Sequence, residues 1–418
     1  MDLLESPIPN LQSPIENIQS SIENPKSKIQ NRMTKPYSIL SCDGGGLRGL
    51  ISAIILERLE QKLRQKAPDK KLRDYFDLIA GTSAGSLTAC SVARGIDATR
   101  IKKLYLERGI EIFPPFNNVF KSFMSRLAVG FSTQPIYDGL GLKQVLQTVF
   151  GQGEINFDKL PKPLKPENIP TKSLLFQDLP KPVLITSYDI YNRQPVVFKN
   201  TKIAHEKIPV WEICRSSAAV PVAFPAHIMT NPDFLKNWQE EGNQIPVAGN
   251  IRGIPLIDGG FVASNPALCA IAERLRWNHN PPANPKWLQN PVSPWRDVVD
   301  IKDIVVTSLG TGQSVKKIGI SESQTWGAGE WINPLDGIPI LDVFSDGSSD
   351  GIIYIINQLM NAEQYVRFQP MLSKNYPAFN ANQQILLEIQ QEIEKSFLTN
   401  QKEDEKLNNL AEVLLSRF

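Results

Sequence analysis

Ser83 stands at the centre of Gly81-Thr82-Ser83-Ala84-Gly85, a G-x-S-x-G pentapeptide. A serine so placed is a candidate nucleophile for acyl transfer. The sharp strand-to-helix turn that lifts its hydroxyl clear leaves no room for bulky neighbours two residues away, so Gly81 and Gly85 are the expected supports of the turn. The helix N-terminus that follows presents free N–H groups and a positive dipole end, which favour the negative charge of an acyl-transfer intermediate. A serine hydroxyl also needs a base to take its proton. Asp258, in Ile257-Asp258-Gly259-Gly260, is the candidate, and the glycines after it, Gly259 first, leave room for close approach.

The third segment is Asp43-Gly44-Gly45-Gly46-Leu47-Arg48-Gly49. Consecutive glycines let backbone N–H groups converge on one anion, which is what an oxyanion hole requires. The hole is expected in the Gly44–Gly46 loop, with Gly45 and Gly46 as donors and the N–H of Ala84 joining them. Arg48 has two readings, a loop-fixing arginine or a contact for a lipid phosphate. The same stretch matches G-x-G-x-x-G at Gly44, Gly46 and Gly49, the pattern of a dinucleotide-binding turn. That pattern expects a carboxylate at the end of the second strand, and Leu78-Ile79-Ala80-Gly81 offers none. Histidine argues by scarcity: the chain holds only His205, His227 and His279. A Ser–His–Asp triad needs one of them facing the serine. His279 has the chain order of an α/β-hydrolase but sits in Trp277-Asn278-His279-Asn280-Pro281, which reads as an exposed helix end. His227 follows Phe224-Pro225-Ala226 and could line a pocket; ordinary structural or surface roles are expected for all three.

The elements that must position these residues are legible from apolar spacing. Ser38–Cys42 and Phe76–Ala80 are short apolar runs that read as buried strands, each ending at a glycine-bearing turn. Between them Ile51, Ile55, Leu59 and Leu63 recur every four residues, one face of a helix. Further strands are expected at Val183–Tyr188, Pro195–Phe198, Ile254–Ile257 and Ile304–Ser308. Strand and helix in alternation imply a three-layer α/β fold with a mainly parallel central sheet flanked by helices, and all three motifs fall at C-terminal strand ends, where ligands bind in such sheets. The Pro- and Lys-rich stretches 156–182 and 278–298 read as surface loops, and 156–180 and 230–252 as insertions. Residues Ile385, Ile389, Ile393 and Phe397, and then Leu407, Leu410 and Leu414, mark C-terminal helices that pack on the body, with membrane docking as the lesser reading. The segment around Trp326 and Trp331, with Ile338 to Phe344, is expected in the core; its alternative is an acyl-pocket wall or interfacial contact.

The N-terminus repeats a seven-residue unit from Ser6, Ser13, Ser20 and Ser27, but Pro7, Pro9, Pro14 and Pro25 oppose a coiled coil. The expected organisation is a disordered leader over 1–34, a catalytic domain over 35–370 and C-terminal helices over 371–418. Charge is balanced, 45 Lys+Arg against 43 Asp+Glu, and no basic run appears, so nucleic acid is not an expected partner. Cys42, Cys90, Cys214 and Cys269 are far apart with no CxxC pair, which points to a reducing, cytoplasmic compartment rather than a disulfide framework. No run of eighteen apolar residues predicts a transmembrane helix, and the opening MDLLESPIPN lacks the basic and apolar regions of a signal peptide.

Six segments together resemble the patatin-like phospholipase family, over about Tyr37 to Phe368. SCDGGGLRG is similar to its glycine-rich oxyanion loop, DYFDLIAGTSAG to its strand and nucleophile turn, and ITSYDIYNRQPVVF to a family hairpin. CRSSAAVPVAFPA is similar to its alanine- and proline-rich segment, IDGGFVASNPA to the segment with the catalytic aspartate, and SLGTG to a late strand and turn. The resemblance implies a lipid acyl hydrolase acting on phospholipids or galactolipids through a Ser83–Asp258 dyad and an acyl-enzyme, with no metal or other cofactor. It implies a membrane or micellar lipid substrate, reached by transient peripheral contact. Ser86 stands where many relatives have another glycine. Two other readings stay open: a serine esterase with a Ser–His–Asp triad, and a non-catalytic lipid-binding module.

Overall fold

The computed structural model describes residues 35–115, 134–154, 159–282, 297–313, 317–333 and 338–418. The heptad repeats and the leader read over 1–34 lie outside the described residues.

The apolar runs fold as expected into β1 (Tyr37–Cys42) and β2 (Leu78–Gly81), with α1 (Gly49–Lys66) between them. The chain continues through α2 (Ala84–Arg94), α3 (Ala98–Ile112), α4 (Leu140–Val149), β3 (Val183–Asp189), β4 (Gln194–Lys199), α5 (Val210–Ser217) and β5 (His227–Met229). Then come α6 (Pro232–Glu240), β6 (Ile254–Asp258), α7 (Ala267–Arg276), β7 (Ile304–Leu309), α8 (Pro339–Leu359), β8 (Tyr365–Phe368), α9 (Gln383–Glu392) and α10 (Gln401–Leu415). One sheet runs β8–β7–β1–β2–β3–β6–β5, with β4 paired to β3. Neighbours from β8 to β3 are parallel, whereas β4 and β6 run antiparallel to β3, and β5 antiparallel to β6.

Every residue of β1 is buried, so the sheet is covered on both faces. Leu40 and Cys42 join the main apolar cluster with α1 on one face. On the other, Tyr37 lies beneath the Arg274 guanidinium of α7, and Ser41 donates to Asn265 Oδ1 at 3.3 Å. Helix α1 is buried well beyond the single stripe Ile51–Ile55–Leu59–Leu63, because α3, α9 and α10 pack against it too. Leu386, Ile389, Leu407, Leu410 and Leu414 are buried in that packing.

Within 230–252, read as an insertion, α6 lays Phe234 and Trp238 into the core, and the Trp238 indole donates to the buried Asp189 carboxylate at 3.0 Å. One segment departs from the sequence reading. Trp326 and Trp331, expected in the core, instead pack edge to face on each other at 5.3 Å between short helices with no buried residue.

Candidate active site

Ser83 caps α2 with φ 53° and ψ −125°, a backbone conformation that L-residues rarely adopt. Such strain is worth about 1–3 kcal/mol and persists only where the surroundings hold it. Four hydrogen bonds do so. The Ser83 N–H donates to Ser217 Oγ at 2.8 Å, Ser86 donates Oγ and N–H to the Ser83 carbonyl at 2.6 and 2.9 Å, and the Gly85 N–H donates to the Thr82 carbonyl at 2.7 Å. The flanking glycines are obligatory: a Cβ on Gly81 would lie 2.4 Å from the Gly85 carbonyl oxygen, and one on Gly85 would lie 2.1 Å from that of Cys42.

Asp258 reaches the same place from the opposite direction. It ends β6, an antiparallel strand, rather than one of the parallel strands that the alternation of elements had implied. Register explains how: Gly81 pairs with Ile185 of β3, and Asp258 pairs with Ser187, two positions further along the same strand. Gly259 then allows the chain to pass Thr186, whose carbonyl oxygen and Oγ1 would each sit 2.3 Å from a Cβ there. The Asp258 carboxyl is buried. Its Oδ1 accepts the Gly260 N–H at 2.7 Å, while Oδ2 has no hydrogen-bond partner. Burial pushes this carboxyl up to about 7, against the lowering pull of the nearby Ser83 hydroxyl and the Gly260 N–H. The hydroxyl and the carboxyl are therefore within electrostatic reach without a fully formed hydrogen bond, as is common where no substrate is bound.

The glycine loop closes the third side. The Gly44 N–H donates to the Ser264 carbonyl at 2.9 Å, and the Leu47 N–H to that of Ala378 at 2.8 Å. Between them, the N–H groups of Gly45 and Gly46 take no partner among the described residues. Gly44 thus differs from its neighbours in the glycine loop, because its own donor is already engaged. The loop is pinned by Thr311, which donates to the Gly44 carbonyl at 2.9 Å and whose Oγ1 would lie 2.3 Å from a Cβ on Gly45. At its head, Asp43 pairs with Arg367 at 2.7 Å, and Arg367 also donates to Ser308 and Ser349. Burial nonetheless raises the Asp43 carboxyl to about 6.

Two cavities meet at Ser83, sharing Gly46, Val220 and Phe379. One holds the charged groups of Asp258, Arg48 and Asp342, with Phe344 at the start of α8. The other is apolar, running between Leu87, Phe113, Leu142, Leu146 and Phe224. Arg48 is 3 % exposed and its Nη2 pairs with Asp342 at 3.2 Å, leaving Nε and Nη1 without partners. Leu341 and Phe344 thus line a pocket wall, the alternative reading of 338–344, while Ile338 itself is fully buried.

Among the described residues, no histidine lines either cavity. His205 is a core residue between Phe198 and Phe234; it accepts the Lys199 N–H at 3.1 Å, and burial holds its pKa well below the usual value. His279 is exposed at the end of α7, and His227 faces a separate cavity. Ser217, Ser264, Thr311 and Arg367 support the site but carried no signal in the sequence beyond lying in or near its short motifs.

Residues 40–271 match the family model described as Patatin-like phospholipase. Patatin-like protein 2 of Arabidopsis thaliana is 32% identical over 79% of this chain and 75% of its own length. Probable inactive patatin-3-Kuras 1 of Solanum tuberosum is 29% identical over 71% of this chain and 69% of its own. Among solved structures, VipD from Legionella pneumophila aligns with 92% of this chain and 66% of its own, at 13% identity and a TM-score of 0.35.

Proposed function

This chain belongs to the patatin-like phospholipase family, and we propose that it hydrolyses acyl esters of membrane or micellar lipids through Ser83 and Asp258. The observation that carries this reading is one buried junction. There a strained serine, a carboxylate with one unpartnered oxygen and two unengaged backbone N–H groups meet the mouth of an apolar cavity.

The reaction follows from that geometry. Ser83 Oγ attacks the ester carbonyl carbon while its proton passes to Asp258 Oδ2. The carbonyl oxygen, now negative, accepts the Gly45 and Gly46 N–H groups, with the Ala84 N–H at the start of α2 beside them. Such a donor is typically worth on the order of 3 kcal/mol in the transition state. The intermediate collapses, the C–O bond breaks and the leaving alcohol takes the proton from Asp258. Water then repeats the sequence on the acyl-enzyme, with Asp258 again as base, and releases the fatty acid. The acyl chain lies in the apolar cavity, and the glycerol side of the ester faces Arg48.

Arg48 favours a phospholipid over a galactolipid. Its charge is met by Asp342, but two of its buried N–H donors, Nε and Nη1, have no partner, and a phosphate oxygen is a stronger acceptor for them than a sugar hydroxyl. Four free cysteines accord with a reducing, cytoplasmic setting. Among the described residues, no helix is long and apolar enough to cross a membrane. Exposed Phe261, Ile340, Val343 and Phe344 around the mouth of the Asp258 cavity support a peripheral contact with the lipid surface.

The rival reading, a binding module that has lost catalysis, has a relative whose name marks it as inactive. Fatty-acid release from matched phospholipids, galactolipids and p-nitrophenyl acyl esters separates the two. Release abolished in both Ser83→Ala and Asp258→Asn is the expected result. Release that persists in Ser83→Ala overturns the proposal, and a wild type silent on every lipid supports the binding module.

A further inference from the structure

A second cavity lies apart from Ser83; Leu140 and Trp211 give it apolar walls, and Asp138, Lys143, Arg215 and His227 bring charged or polar groups to it. Arg215, on α5, is 6 % exposed, yet makes no hydrogen bond or ion pair among the described residues, and its Nη1 is buried without a partner there. Buried guanidinium groups are ordinarily paired, because removing such a charge from water costs several kcal/mol. The Phe224 ring lies 5.5 Å from the guanidinium carbon. Burial lowers the Arg215 pKa to about 10, opposed by the field of Asp138. The seat is shaped for the arginine: Gly139 has φ +76°, and a Cβ there would lie 2.2 Å from Nη2.

Two more nitrogen groups reach the same cavity. Lys143 is exposed, with Nζ 5.6 Å from the centre of the Trp211 ring and no carboxylate in ion-pair contact among the described residues. His227 Nε2 is buried with no hydrogen-bond partner, and Glu212 Oε2 stands 3.7 Å away, beyond hydrogen-bond distance. The acids nearby do not satisfy Arg215: Asp138 Oδ1 accepts the Leu140 N–H at 2.8 Å, and Glu212 faces the imidazole.

We propose that this cavity is a binding site for a phosphate group, held by Arg215, Lys143 and His227. A guanidinium fork, an ammonium and an imidazole together offer more donors than a carboxylate can accept, and they match a tetrahedral oxyanion. The site is distinct from the catalytic junction but mechanically joined to it. Arg215 shares α5 with Ser217, whose hydroxyl accepts the Ser83 N–H, and its partner ring, Phe224, lines the apolar cavity. An occupant would therefore act on the acyl-chain cavity from behind. The phosphate could be free or carried by a lipid headgroup, and the test separates the sources.

Isothermal titration calorimetry would use the full chain carrying Ser83→Ala and Arg48→Gln in every sample, so that the lipid is not hydrolysed and Arg48 holds no phosphate; heat that the Arg215 and Lys143 variants leave unchanged is assigned to the catalytic cavity. Inorganic phosphate and monomeric dihexanoyl phosphatidic acid are titrated in parallel. Saturable one-to-one binding is expected, weakened about tenfold by adding Arg215→Gln and several-fold by adding Lys143→Ala. Lys143 is exposed, so its variant reports even if loss of Arg215 disturbs folding. Binding of both ligands assigns the site to free phosphate, and binding of the lipid alone assigns it to a headgroup. No saturable heat with either ligand, or binding that both variants leave unchanged, overturns the proposal.

Discussion

Asp258 is the residue on which the environment acts most. Its carboxyl is buried, anchored through Oδ1 and held near a pKa of about 7, so at acid pH it is protonated and unable to take the Ser83 proton. The kcat/KM for a soluble ester is expected to rise with pH through about 7 and level off above it; a flat profile between pH 5 and 8 would contradict Asp258 as base. The same shift has a stability consequence of opposite sense. A carboxyl whose pKa is raised from 3.8 to about 7 in the folded chain favours folding below pH 4, and that stability is lost as pH rises through 7. Asp258→Asn should therefore be inactive yet more stable than wild type at pH 8, by up to about 4 kcal/mol at 1.36 kcal/mol per unit. Denaturant titration at pH 8 and pH 4 checks this, with the gain vanishing at the lower pH.

At the scale of elements, the turns rather than the strands set tolerance to change. Gly85→Ala drives a methyl into the Cys42 carbonyl, backbone against backbone, and is expected to destabilise by more than about 3 kcal/mol, read as lost soluble expression. Gly45→Ala meets only the Thr311 side chain, so it should fold. It should lose on the order of a hundredfold in kcat by displacing one oxyanion donor. Adding Thr311→Gly removes all three clashing atoms, and partial recovery of kcat is expected; no recovery would place the damage elsewhere. Other elements were hard to read because their composition works against them. Helix α8 contains Gly347 and Gly351 with a run of Ser and Asp, poor helix formers that mask its length. Nor does apolar spacing reveal strand direction, so β6 was readable as a strand but not as an antiparallel one.

At the scale of the molecule, α9 and α10 complete the burial of α1. Truncation after residue 382 exposes α1 and loses the burial of Leu386, Ile389, Leu407, Leu410 and Leu414. At about 1.5–3 kcal/mol each, that loss rivals the whole stability of a domain. The truncated chain is expected to aggregate, so the division proposed at residue 370 would mark no independently folding boundary; a soluble, cooperatively melting product would show otherwise. At the start of α8, Ile340 and Val343 are exposed beside the Asp258 cavity without lining it. Replacing both with Glu should reduce hydrolysis of vesicle lipid several-fold while leaving a soluble ester unaffected. Equal effects on both substrates would argue against peripheral docking.

By itself the sequence determined which residue types stand at the turns, and local chemistry is enough for that. A glycine two residues either side of Ser83, or directly after Asp258, is visible in the chain because the backbone there tolerates no Cβ. The alternating strands and helices that carry Ser83 and the glycine loop were legible for the same local reason. Only the tertiary structure decided what meets what. It gave the Gly44 N–H to Ser264, paired Asp43 with Arg367, left Arg48 and Arg215 short of partners, and brought Asp258 in on an antiparallel strand. Those outcomes depend on contacts between residues far apart in the chain, and apolar periodicity is silent about which buried donor finds an acceptor.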